Sequence, residues 1–192
     1  PAGGLVVPLD LAGRTLDRRY ALRTLLGRGS SGAVYAATDV RRDAAVAVKV
    51  FVRRSATDDD AIRREVAVLR GLALPGVVPL LDDGGDGGYA FVVMPQLDGR
   101  PFPGRAGPHA WRDVETPALG LLETLARIHA HGVVHRDLKP ANVLVDARGV
   151  ATLLDVGASG GPDGVAPDAA IAGTRMWMAP EQAAGRPADA RA

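Results

Sequence analysis

The stretch His135-Arg136-Asp137-Leu138-Lys139-Pro140-Ala141-Asn142 brings together groups able to accept a proton, neutralise an anion and hold a metal. Asp137 offers a carboxylate base, Lys139 a cation two residues on, and Asn142 an amide oxygen three residues beyond that. Thirteen residues after Asn142 comes Asp155-Val156-Gly157, whose carboxylate follows an apolar run and is a second candidate metal ligand. Upstream, Gly27-Arg28-Gly29-Ser30-Ser31-Gly32-Ala33-Val34 is a glycine-rich loop between apolar segments, suited to bringing backbone N–H groups close to phosphates. A dinucleotide reading of that loop needs a helix directly after it, but Val34-Tyr35-Ala36-Ala37 reads as a strand. In Ala45-Val46-Ala47-Val48-Lys49, the period of two puts Ala47 and Lys49 on one strand face, a small residue beside a cation. Glu65 stands one turn before Leu69 on the apolar side of the following helix, where an unpaired carboxylate is costly. A Lys49–Glu65 ion pair resolves both placements.

Composition singles out the same positions. The 192 residues include 23 basic ones, yet the only lysines are Lys49 and Lys139, and Asn142 is the only asparagine. Both residue types have A-rich codons, so a GC-rich genome accounts for their rarity. The survival of all three inside motifs points to work that arginine or aspartate cannot do. The net charge of +1 gives no argument for nucleic acid or an anionic membrane as partner. Cysteine is absent, which excludes disulfides and thiol chemistry. No apolar run approaches the roughly 20 residues of a membrane span, and Pro1 to Pro8 lacks the layout of a secretory signal. A cytoplasmic domain is expected.

The elements that must position these groups follow from periodicity. Tyr20 to Leu26, Val34 to Thr38 and Ala44 to Val52 read as an antiparallel meander. Thr57 with Asp58, Asp59 and Asp60 starts a helix whose apolar residues Ile62, Val66 and Leu69 recur at helical spacing until Gly71. Val77 to Leu81 and Tyr89 to Met94 are expected to pair as a hairpin across Gly84 to Gly88. Thr116-Pro117 is expected to cap a second helix with Leu121, Leu122, Leu125 and Ile128 on its apolar face and Gly132 at its end. Short strands at Val143 to Val145 and Thr152 to Leu154 flank a turn at Gly149.

In order and spacing, the glycine loop, the Val-Ala-Val-Lys strand, the His-Arg-Asp-Leu-Lys-Pro-Ala-Asn loop and the Gly173-Thr174 to Ala179-Pro180-Glu181 segment resemble the Hanks-type protein kinases, in particular their bacterial serine/threonine branch. The resemblance covers the chain from about Tyr20. It implies a two-lobed α+β fold: a lead-in over 1–18, a strand-rich N-lobe over 19–94, a hinge at 95–98 and a partial C-lobe over 99–192. It further implies transfer of the ATP γ-phosphoryl group, with Mg²⁺, to Ser or Thr of a protein substrate. By the same resemblance Lys49, paired to Glu65, holds the α- and β-phosphates beneath Gly27, Gly29 and Gly32. Asn142 and Asp155 hold Mg²⁺, Asp137 takes or orients the substrate hydroxyl proton, and Lys139 neutralises charge on the γ-phosphate. Thr174 shapes the substrate groove beside Asp137 and Lys139. Adenine lies among Leu26, Val34, Ala47 and Leu144, with Met94 at the back of the pocket and Pro95 and Leu97 in the hinge. The hinge draws only a carbonyl from position 95, so the N–H that Pro95 lacks is not needed there.

Three departures from the family pattern carry expectations. Val156 stands where the family has phenylalanine, which predicts a looser active arrangement and reduced turnover. Gly160 to Ala172 has no Ser, Thr or Tyr, so Asp163 or Asp168 is expected to supply a permanent charge in place of an activating phosphate, unless both are simply solvated. The chain ends soon after Ala179-Pro180-Glu181, with Gln182 to Ala192 reading as the lead-in to further C-lobe helices that would be its partners. The alternative function is a pseudokinase, a nucleotide-responsive binding module without transfer. Its mark is loss of the base or the metal ligands, whereas Lys49, Asp137, Asn142 and Asp155 are all present.

Overall fold

A computed structural model describes residues 10–29, 32–53, 55–103, 109–156 and 175–191. It divides into two compact units, Pro1–Arg54 with Asp82–Gln96, and Ser55–Leu81 with Leu97–Ala192. The change of unit falls between Gln96 and Leu97. The segment Ser55–Leu81, expected in the N-lobe, groups with the second unit.

The first unit is a six-stranded antiparallel sheet of β1 (Thr15–Leu16), β2 (Tyr20–Arg28), β3 (Ala33–Asp39), β4 (Ala44–Val52), β5 (Asp82–Asp86) and β6 (Tyr89–Pro95), in the order β1-β2-β3-β4-β6-β5. Alternation sends Tyr35, Val46, Val48, Val50, Phe91 and Val93 into one buried cluster. Tyr20 and Phe91 meet edge to face there, with ring centroids 5.6 Å apart.

The expected hairpin is corrected on one side. Its first strand is Asp82–Asp86, and Val77 to Leu81 is not a strand. An Asp-Asp-Gly-Gly-Asp segment has little strand propensity of its own. It is held by pairing with β6 and by Gly84, where an added Cβ would lie 2.6 Å from the Phe91 ring. Val77 and Val78 are buried in the second unit instead, Val77 bridging to Leu153 and the Val78 N–H donating to the Leu153 carbonyl.

Charged groups tie the start of β5 to the β1–β2 turn. Arg19 grips Asp39 with two nitrogens at 2.9 and 2.7 Å and reaches Asp82 at 2.7 Å, while the Tyr20 hydroxyl also donates to Asp82. Arg14 pairs with Asp86 at 3.6 Å. These side-chain links join opposite ends of the sheet, where backbone pairing stops.

The second unit contains α1 (Ala56–Gly71), β7 (Arg100–Pro101), α2 (Trp111–Ala130), β8 (Val143–Val145), β9 (Ala151–Leu153) and α3 (Pro180–Ala183). Strands β7, β8 and β9 form a small antiparallel sheet in that order. Ser55 caps α1, its Oγ accepting the Asp58 N–H at 3.2 Å, with Asp58 and Asp59 in the first turn. Helix α2 begins at Trp111, so Pro117 lies inside the helix and not at its first position. Its ring removes one N–H from the helical ladder, but Pro117 is buried and extends the stripe continued by Thr124 and Ile128. Leu122, expected on that stripe, is 61% exposed. Gly132, at φ 72°, follows the helix end in the left-handed conformation that favours glycine.

Candidate active site

The expected residues of the first unit converge through strand register. Val34 sits opposite Lys49, which sits opposite Val92, and Ala36, Ala47 and Met94 form the equivalent row two residues along. Directly opposed residues share a sheet face, as do residues two apart, so Val34, Ala47, Lys49 and Met94 occupy one face. The core residues Tyr35, Val48 and Val93 occupy the other. Ala47, Lys49 and Met94 are buried, and the Lys49 ammonium lies 5.1 Å from the Phe51 ring centroid. Pro95 ends β6 opposite Val46, and Leu26 is exposed near the end of β2.

The loop glycines differ in why they are glycine. At Gly32 an added Cβ would come 2.2 Å from the Val50 carbonyl oxygen, so packing against β4 alone demands glycine. At Gly27 a Cβ would meet nothing within 4 Å. Packing gives no reason for glycine there. The Gly29 N–H donates to the Gly32 carbonyl at 2.8 Å and closes the turn.

In the second unit, the loop from His135 to Asn142 is irregular backbone held by side chains. Arg136 adopts φ 62°, a left-handed conformation that costs a side-chain-bearing residue about 1–2 kcal/mol. His135 is buried, and its Nδ1 accepts the Asp137 N–H at 3.2 Å. Burial pushes the His135 pKa below its ordinary value, against the opposing pull of the Asp155 and Asp137 charges, so the ring is neutral and Nδ1 is free to accept. Pro140–Asn142 form a single 3₁₀ turn that brings Asn142 back over Asp137. The Asn142 Nδ2 donates to the Asp137 backbone carbonyl at 2.8 Å and to its Oδ2 at 3.0 Å. Lys139 Nζ donates to the same Oδ2 at 2.6 Å.

The two oxygens of Asp137 therefore differ. Oδ2 is fixed by two donors, whereas Oδ1 is buried with no hydrogen-bond partner among the described residues. A buried carboxylate oxygen left in that state is costly unless a donor arrives. With Nδ2 turned toward Asp137, the Asn142 Oδ1 is the amide atom that could ligate a metal. Leu154 N–H donates to the Asn142 carbonyl at 2.9 Å, which joins the segment before Asp155 to this loop. An amide oxygen and a carboxylate suit Mg²⁺, which takes few protein ligands and completes its shell with phosphate and water. Among the described residues, no cluster of three or more His, Cys, Asp or Glu could hold a metal unaided.

Of the remaining expected residues, Leu144 is half-buried in β8 opposite Pro101 and Thr152, and Leu97 is exposed. Glu65 is buried on α1, on the side carrying Leu69. Lys49 and Glu65 belong to different units. Thr174, Asp163 and Asp168 lie outside the described residues. Val156 is 1% exposed, so the position of the family phenylalanine is an interior one.

Residues 20–192 match the protein kinase domain. The chain belongs to the protein kinase family. This kinase domain is 39% identical over 194 residues to the DNA damage-responsive serine/threonine-protein kinase RqkA of Deinococcus radiodurans, with 93% of the chain and 28% of the relative covered. It is 35% identical over 193 residues to the serine/threonine-protein kinase PknA of Mycobacterium tuberculosis, covering 92% of the chain and 44% of the relative. Identity to the probable serine/threonine-protein kinase PknB of Bifidobacterium longum is 32% over 204 residues, covering 96% and 29%. The kinase domain thus spans less than half the length of these curated relatives.

The motif reading missed Gln182, whose side chain donates to the Arg136 carbonyl at 2.8 Å. Its only signal in sequence is its place directly after Ala179-Pro180-Glu181. The Arg19–Asp39–Asp82–Tyr20 group also went unread, because its members are distant in sequence and belong to no motif.

Proposed function

We propose that this kinase domain acts in a protein serine/threonine kinase, transferring the γ-phosphoryl group of ATP to Ser or Thr hydroxyls of protein substrates. The observation that carries the reading is the divided state of Asp137, with Oδ2 held by Lys139 and Asn142 and Oδ1 unfilled. That arrangement leaves one oxygen of an anchored carboxyl group to meet the substrate hydroxyl. The substrate hydroxyl oxygen forms a bond to the γ-phosphorus as the bond to the β-phosphate oxygen breaks, and the hydroxyl proton passes to Asp137 Oδ1. Lys139 is assigned to the γ-phosphate, where its ammonium offsets negative charge. Asn142 and Asp155 are assigned to Mg²⁺, which when bound neutralises phosphate charge. Lys49, paired to Glu65, is assigned to the α- and β-phosphates, with Gly27, Gly29 and Gly32 covering them. Leu26, Val34, Ala47, Met94, Pro95, Leu97 and Leu144 are assigned to adenine. Thr174 is assigned to the substrate groove. The domain is assigned to the cytoplasm, where ATP is supplied.

The test is transfer of label from MgATP to a serine- and threonine-containing protein such as casein, with Asp137→Asn beside it. Transfer should fall by about 10²–10⁴-fold in the variant while nucleotide binding persists. Equal transfer by both forms would overturn the assignment of Asp137.

A further inference from the structure

Gln182 joins two segments 46 residues apart in the chain. Its Oε1 accepts the Ala179 N–H at 3.2 Å, closing the turn that opens α3, and its Nε2 donates to the Arg136 carbonyl at 2.8 Å. That carbonyl belongs to the peptide group entering Asp137, directly after the left-handed Arg136. The other polar groups flanking the base are held from within the loop: the Asp137 N–H by His135, and the Asp137 carbonyl by Asn142. Gln182 alone among these three holds the base from outside its own loop.

We propose that Gln182 is a positioning residue, making the orientation of Asp137 depend on the docked Ala179–Gln182 turn. The inference rests on the phosphotransfer reading above. A left-handed Arg136 has a competing right-handed state, and turning it over would rotate the peptide that leads into the base. The Gln182 hydrogen bond favours one state, and only while the segment ending in Ala179-Pro180-Glu181 is seated. An amide is the group that fits, since the site needs a donor toward Arg136 and an acceptor toward Ala179 on one side chain. Glutamate keeps the acceptor and loses the donor, and alanine loses both.

The experiment compares the full chain with Gln182→Glu and Gln182→Ala by steady-state transfer from MgATP and by hydrogen exchange at individual amides. Both variants should lose about tenfold in kcat, with KM for ATP within about twofold of the parent. Exchange at the Asp137 amide should quicken in both, whereas the Ala179 amide should quicken only in Gln182→Ala. Unchanged kcat in both, or unchanged exchange at Asp137, would overturn the proposal. So would a parallel loss of kcat, ATP affinity and melting temperature, the pattern of a merely structural residue. A parent that transfers no phosphate would refute the phosphotransfer reading, and the exchange measurements would then still decide the positioning link.

Discussion

The two units position their functional groups by different physics. In the sheet, Val34, Ala47, Lys49 and Met94 share a face because each is fixed by a ladder of backbone hydrogen bonds, with Val48 and Val93 buried behind them. No single side chain sets the register, so the arrangement is redundant. In the loop from His135 to Asn142 the backbone leaves regular structure, and individual side chains hold it: His135, Lys139, Asn142 and, from outside, Gln182. Repetition keeps the sheet in place, whereas single contacts keep the loop in place. A substitution in the sheet should therefore cost folding, and one in the loop should cost chemistry.

The sharpest test sets one of each side by side. Asn142→Ala removes the two Asn142 hydrogen bonds to Asp137, leaving that of Lys139, along with a metal-ligand candidate, and should lower kcat by about 10²–10³-fold with a small change in the urea midpoint. Phe91→Ala empties a buried ring site against Tyr20 and Gly84, and should cost about 3–5 kcal/mol of stability while turnover per folded molecule holds. Matching losses of stability in the two variants would remove the distinction between the units.

A smaller effect probes the charges that close the sheet. The Arg19 guanidinium, bonded to both Asp39 oxygens, holds that carboxyl down to about 2. A depressed native pKa means that the unfolded chain binds more protons between the ordinary value of 3.8 and about 2. The stability from Asp39 is thus complete above that window and disappears as pH falls through it. Arg19→Gln should raise the Asp39 pKa toward 3.8, as read by carboxyl NMR, and make the acid unfolding profile shallower there. Turnover at neutral pH should be untouched, because the group belongs to the sheet.

The smallest expected change concerns Val156. A larger ring at this buried position should tighten the segment carrying Asp155, so Val156→Phe should raise kcat about threefold, equivalent to about 0.6 kcal/mol. A fall in kcat would mean that the interior is already full and that valine is the fitted residue.

Much of this was legible before any coordinates. The strands β2 to β4 follow their alternation, α1 follows its acidic start and apolar spacing, and Gly132 and Gly149 stand where helix α2 and the β8–β9 turn need them. The types and spacing of Asp137, Lys139 and Asn142 already name a base, a cation and an oxygen ligand, since chain proximity alone brings them within reach. Local pattern reports local demands, and these are local. Tertiary structure decided the rest. Asp82–Asp86 is a strand only because β6 pairs with it, and Pro117 sits within α2 because its buried face offsets a lost hydrogen bond. Arg19 meets Asp39 across the β2–β3 pairing, but finds Asp82 only when opposite edges of the sheet are brought together. Gln182 reaches Arg136 across 46 residues. In each case the partner that supplies the free energy lies far off in sequence, so the segment itself carries no sign of it.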